Sequence, residues 1–131
     1  MAIESMATLN KNSASLMKKY QSSGATDVTG FGILGHASNL AAAQENDVDL
    51  ILNALPILNK MDLHIDGMHD FAVTRGYSAE TSGGILCMLE KKIAAEFMKE
   101  SFNEYGQATW QIGEVVKGSK RAIIRDDCEV I

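Results

Sequence analysis

A chain of 131 residues fits one domain, large enough to bury roughly two-thirds of the surface its unfolded form exposes. Apolar residues make up 46% and charged residues 22%, a globular balance that argues against disorder. The net charge of −5, from 12 basic and 17 acidic residues without a basic cluster, argues against a nucleic-acid partner, and no apolar run approaches the roughly 20 residues that span a bilayer.

Met1-Ala2-Ile3-Glu4 lacks the charged and apolar regions of a signal peptide. Two cysteines, Cys87 and Cys128, are too few for a disulfide framework or a zinc site, so a cytoplasmic location is expected. Cys87 lies inside Ile85-Leu86-Cys87-Met88-Leu89 and reads as a small buried hydrophobe.

Periodicity predicts a first helix from about Met6 to Tyr20, with Met6, Leu9, Ser13, Leu16, Met17 and Tyr20 near one face. Ser22-Ser23-Gly24 is expected to end it. The stretch Ala25-Thr26-Asp27-Val28-Thr29-Gly30-Phe31-Gly32-Ile33-Leu34-Gly35-His36 then combines one carboxylate, two hydroxyls and three glycines. Glycines let backbone N–H groups crowd toward a ligand, and the first turn of a following helix offers unpaired N–H groups to phosphate. Asp27 suits the divalent cation that accompanies such a phosphate. The same residue types also serve as an ordinary cap and turn. Gly30, Gly32 and Gly35 spell the dinucleotide-binding fingerprint, with Asp47 and Asp49 near the distance of a ribose-binding acid. That fingerprint needs a buried parallel strand before it, which Gln21–Asp27 would make poorly, so it is rejected.

A helix is predicted from about Ile33 to Gln44, with Leu34, Ala37, Leu40 and Ala41 inward, and a strand over Val48–Leu52. Leu55-Pro56-Ile57-Leu58 is expected to open a short helix. Residues 59–79 are the least legible. Their His64, Asp66, His69 and Asp70 are of metal-ligating type, but fall on no common face at either period, and a solvated loop or helix end is expected. Glu80-Thr81-Ser82-Gly83-Gly84 is either a plain tight turn or one that brings amides to a ligand or another domain. A strand Ile85–Leu89 follows, then a helix Lys91–Tyr105 with Ile93, Ala94, Phe97, Met98 and Phe102 as its stripe, stopped by Gly106. Thr109–Val116, the turn Lys117-Gly118-Ser119-Lys120 and Ala122-Ile123-Ile124 read as a β-hairpin. The expected class is α/β (α+β), a mixed β-sheet layered with helices in a single domain over 1–131.

Three segments are more specific together than apart: Thr8-Leu9-Asn10-Lys11, the glycine-rich stretch Ala25–His36, and Glu80-Thr81-Ser82-Gly83-Gly84-Ile85-Leu86. In this order the chain resembles the C-terminal domain of selenophosphate synthetase (selenide, water dikinase), of the aminoimidazole ribonucleotide synthetase-like superfamily. The likeness extends to Trp110-Gln111-Ile112-Gly113-Glu114-Val115-Val116 and is weakest over residues 60–79.

The resemblance implies an enzyme that converts selenide, ATP and water to selenophosphate, AMP and phosphate with Mg2+ and often K+, the nucleotide and metals lying between two domains. Asp27 falls on the family's magnesium-binding aspartate. Thr29, Gly30 and Gly32 are taken as phosphate-facing on backbone geometry. The family's N-terminal domain carries the reactive cysteine or selenocysteine, a nearby lysine and further metal aspartates, and nothing in this sequence matches it. No catalytic residue is therefore expected here, Cys87 and Cys128 do not inherit the nucleophile's role, and the chain is expected to be a fragment or half of the working enzyme, inactive alone. The full-length family members dimerise through the N-terminal domain. Two alternatives stay open: a relative acting on another phosphate acceptor, and a non-catalytic paralogue or interaction domain.

Overall fold

The computed structural model describes residues 2–58, 73–80 and 82–131. In chain order these form α1 (Ala2–Ala7), α2 (Lys11–Lys19), β1 (Gly24–Asp27), α3 (Gly32–Ala42), β2 (Val48–Leu55), a single 3-10 turn (Val73–Arg75), β3 (Ile85–Met88), α4 (Lys91–Tyr105), β4 (Gly113–Lys117) and β5 (Ala122–Val130). The expected α+β class with a mixed sheet is borne out: β4–β2–β5 is mixed, and β1–β3 is a separate antiparallel pair. His64, Asp66, His69 and Asp70 lie outside the described residues, and among those described no helix is long and apolar enough to cross a membrane.

The core forms where α3 lies on β2. Ala37 and Ala41, one helical turn apart and fully buried, let the helix sit close to the strand, and Leu40 packs with Leu50, Leu52 and Met88. Each buried leucine contributes about 2 kcal/mol of hydrophobic stabilisation. The helix α2 lies against α4, where the Tyr20 and Phe97 rings meet edge to face at 5.5 Å. Glu100 accepts hydrogen bonds from Lys19 Nζ at 2.6 Å and from the Tyr20 hydroxyl at 2.5 Å.

The predicted first helix is two helices, broken at Thr8–Asn10. Thr8 turns back, its N–H donating to Ser5 O and its hydroxyl to Glu4 O. Asn10 reaches across the molecule, donating its side-chain amide to the Gly83 carbonyl at 3.0 Å. The second helix ends before Ser22, because Gln21 adopts the left-handed conformation (φ 52°) and Ser22 N–H closes onto Met17 O. The residues after it form β1, a strand that composition does not suggest, held by antiparallel pairing of Gly24 with Met88 through Asp27 with Ile85. It is not the parallel strand a dinucleotide fingerprint requires.

Two expectations at the C-terminal side are corrected. Strand β2 runs on to Leu55, and Pro56–Leu58 form no helix, because Ile57 N–H donates to Ile131 O and Ile131 N–H to Leu55 O. The strands β4 and β5 do not pair as a hairpin, since β2 lies between them, antiparallel to β4 and parallel to β5. The turn between them is tied to β2 by Asp49, at the start of that strand and only 5% exposed. Its carboxylate accepts the Ser119 N–H at 2.7 Å and the Arg121 N–H at 2.9 Å, with the Arg121 guanidinium at 3.3 Å. These bonds draw the 117–121 turn over the end of β2 and hold the Asp49 carboxyl below its ordinary range.

Candidate functional site

Along β1, Gly24 and Thr26 are half-buried while Ala25 and Asp27 are exposed. This is the alternation of a strand with one covered face, and it leaves Asp27 on the open one. No described side chain pairs with its carboxylate. The next residue, Val28, is buried and extends the ladder by donating its N–H to Gly84 O at 2.9 Å.

Thr29 is the hub of the loop. Its carbonyl accepts the Gly32 N–H and the Glu80 N–H, both at 3.0 Å, and its hydroxyl lies 3.1 Å from His36 Nε2. The carbonyl of Thr29 and the N–H of Gly30 share one planar trans peptide and point opposite ways. With the carbonyl held inward, the Gly30 N–H is turned outward, and it meets no backbone acceptor among the described residues. Gly30 is itself exposed, and a Cβ built on it would meet nothing within 4 Å.

Gly32 is the opposite case. It has φ +70°, and a Cβ there would stand 2.6 Å from Gly76 O and 2.7 Å from the Tyr77 carbonyl carbon. Leu34 N–H donates to the same Gly76 oxygen at 2.8 Å, so the segment 76–77 roofs the first turn of α3. Two of the helix-start amides that the sequence offers to a ligand, Gly32 and Leu34, are thus satisfied by the chain itself. Gly83 is crowded as well, since a side chain there would collide with Val28 O and the Glu80 carboxylate.

The sequence-derived candidates Asp27, Thr29 and Gly30 stand together on one loop, with Gly32 beneath Tyr77. The structure adds Asn10, His36, Glu80 and Gly83, so three stretches remote in sequence meet at one place. His36 was legible as a polar residue in the apolar stripe of α3, four residues before Leu40, and both are buried. The exposed Phe31 ring leans over it at 5.5 Å between centroids, and lies so close over Gly35 that a Cβ there would be 2.7 Å from Phe31 Cβ. Burial pushes the Glu80 carboxyl up, with the charge of His36 pulling the other way. Cys87 and Cys128 are both half-buried, and burial raises both thiols, an environment that suppresses the reactive thiolate.

For a cation, the loop offers the Asp27 carboxylate with its lone pairs free. A divalent ion takes about six oxygen ligands, and among the described residues no group of three or more His, Cys, Asp or Glu side chains is placed to hold one. Asp27 therefore fits as one ligand of a set completed by other groups.

The family described as AIR synthase related protein, C-terminal domain, matches residues 3–126. Among individual proteins, "Selenide, water dikinase 2" of Mus musculus is 44% identical over 133 positions, covering 99% of this chain and 29% of that protein. The Homo sapiens protein of the same name is 44% identical over 99% of this chain and 30% of its own length. "Selenide, water dikinase" of Dictyostelium discoideum is 45% identical over 88% of this chain and 32% of its own length. The chain spans about a third of the length of these relatives.

Proposed function

The chain belongs to the family of AIR synthase related C-terminal domains, and from that premise we propose that it is the C-terminal part of an ATP-dependent selenophosphate synthetase. The complete enzyme converts selenide, ATP and water to selenophosphate, AMP and phosphate. Identity of 44% to proteins named selenide, water dikinase, running over nearly all of this chain, supports the substrate pair. The observation that carries a role for these particular residues is the pairing of an unpartnered Asp27 carboxylate with an outward Gly30 amide on one rigid loop. One anionic ligand and one N–H donor three residues apart in a single segment suit a metal-bound phosphate.

In this proposal Asp27 supplies one oxygen to Mg2+, while an N-terminal domain, the nucleotide phosphates and water supply the rest. Gly30 N–H, with Thr29 and Gly32 shaping the loop, faces phosphate. The ion, when bound, neutralises phosphate charge that would otherwise repel an anionic selenide nucleophile. The reactive cysteine or selenocysteine belongs to the N-terminal domain, so the 131 residues alone turn nothing over. A cytoplasmic location, a K+ requirement and homodimerisation through the N-terminal domain belong to the same proposal.

Asp27→Asn in the complete protein tests it. The substitution keeps shape and removes charge from a side chain that bonds to nothing described, so thermal stability stays within about 1 °C of wild type. Selenide-dependent AMP release falls by about a hundredfold, the loss of ~3 kcal/mol expected when a metal gives up an anionic ligand. Near-normal turnover would remove Asp27 from the site, and no AMP from the wild-type complete protein would remove the activity.

A further inference from the structure

Three buried polar side chains stand out among the described residues: His36, Asp49 and Ser101. Asp49 draws the turn after β4 over the end of β2, and the Ser101 hydroxyl donates to Gln107 O beyond the end of α4. His36 does neither. It occupies the inner face of α3 beside Ala37 and one turn before Leu40, where an aliphatic side chain would pack without leaving a polar nitrogen to satisfy. Its ring nitrogen goes to Thr29 Oγ1 at 3.1 Å.

We propose that His36 is a positioning residue, which fixes the plane of the Thr29–Gly30 peptide and so sets where the Asp27 carboxylate and the Gly30 amide stand. The proposal rests on the phosphotransferase function above and adds to it the group that preorganises the loop. Thr29 is gripped at two points. Its carbonyl is held by the Gly32 and Glu80 N–H groups and its side chain by His36, so both its peptide and its χ1 are restrained. Without His36 the threonine hydroxyl is free to turn toward water or toward a ligand, and the peptide is held from one side only. The Phe31 ring lies beside the imidazole, 5.5 Å between centroids. Supporting groups of this kind, one step removed from a metal ligand, typically alter metal affinity by 10–100-fold when lost.

The competing use of Thr29 is direct: its hydroxyl would meet the ligand, and His36 would be idle. Two near-isosteric variants of the complete protein separate these. Thr29→Val removes the oxygen and His36→Leu removes the nitrogen. The expected result is the same change in each, an increase of about tenfold in the Mg2+ concentration for half-maximal AMP release. For His36→Leu the rate at saturating Mg2+ stays within about threefold, and the double variant is no worse than Thr29→Val alone. Thr29→Ser, which restores the oxygen, recovers most of the loss. A normal His36→Leu beside a damaged Thr29→Val would overturn the proposal, as would additive effects in the double variant or a fall in melting temperature without a shift in Mg2+ dependence.

Amide hydrogen exchange supplies a readout independent of turnover. Exchange at Glu80, whose N–H is held by Thr29 O, is expected to accelerate at least about tenfold in both variants, while Leu50, bonded to Arg121 O in the core sheet, stays protected. Unchanged Glu80 exchange defeats the proposal whatever the activity. A wild-type protein that forms no AMP defeats the proposed function instead, and the exchange result still decides the role of His36.

Discussion

The loop after Asp27 and the turn that wraps Asp49 use the same materials, an aspartate, glycines and a short polar run, to opposite ends. Around Asp49 the chain closes on the carboxylate. Two backbone N–H groups and a guanidinium bond it, and Gly118 lacks a side chain because the carboxylate fills that space. Around Asp27 the chain closes on itself instead. Thr29 O, Gly76 O and Gly84 O gather the nearby amides, and the carboxylate and the Gly30 N–H are left facing out. A carboxylate whose lone pairs are all met by its own chain holds a fold together. One placed on a rigid, exposed loop with none of them met is available to a ligand.

The comparison breaks most visibly at Gly32. Alanine there is forced to φ near +70° against the backbone of Gly76 and Tyr77, at a cost of about 3 kcal/mol or more. The melting temperature of the protein is expected to fall by about 10 °C in a calorimetric scan. A fall under about 2 °C would mean that the 76–77 roof does not press on this residue.

Asp49→Ala comes next. It deprives the Ser119 and Arg121 N–H groups of their acceptor and loosens the turn over the end of β2, and the expected fall in melting temperature is roughly 5 °C. The pH dependence sharpens the point. The Asp49 carboxyl titrates below its ordinary value in the folded protein, chiefly because the Arg121 and Ser119 amides bond its ionised form. Its ionised form therefore binds the fold better than its neutral form does. The stability it adds is full above the ordinary carboxylate pKa of about 4 and is lost as the pH falls through the lower folded value. Melting temperatures of wild type and Asp49→Asn are expected to differ most near neutral pH and to converge as the carboxylate is protonated in acid. A gap that stays constant to low pH would show that shape, not charge, holds the turn.

Gly30→Ala has the smallest effect on the fold. Its Cβ points into open space and its φ is not in the left-handed region, so the melting temperature is expected to change by less than about 1 °C. If the Gly30 amide faces phosphate as proposed, the added methyl hinders that approach, and AMP formation by the complete protein is expected to fall by about tenfold. Full activity would mean that the Gly30 amide does not face the ligand. Within one loop, then, Gly32 is crowded by the fold and Gly30 is not.

Local chemistry made much of this legible in the sequence. The helices α3 and α4 follow from stripes of alanine, leucine and phenylalanine at helical spacing, and Gly106 stops α4 in the left-handed conformation its sequence position suggests. The glycine-rich stretch announced where the chain would turn, because three glycines and an aspartate at a helix start are a local signal. Tertiary structure alone decided the rest. Gly24-Ala25-Thr26-Asp27 carries no strand signal and becomes one through pairing with β3. The two strands after α4 read as a hairpin because a short polar turn joins them, yet β2 pairs with both and takes the place between them, its buried Asp49 carboxylate bonded to that turn. Nor does the order Gly-x-Gly tell which glycine is roofed by residues 76–77 and which stands open. Periodicity and turn chemistry are written within a few consecutive residues, whereas strand partners, and the free side of a loop, depend on which distant segments come to lie against it.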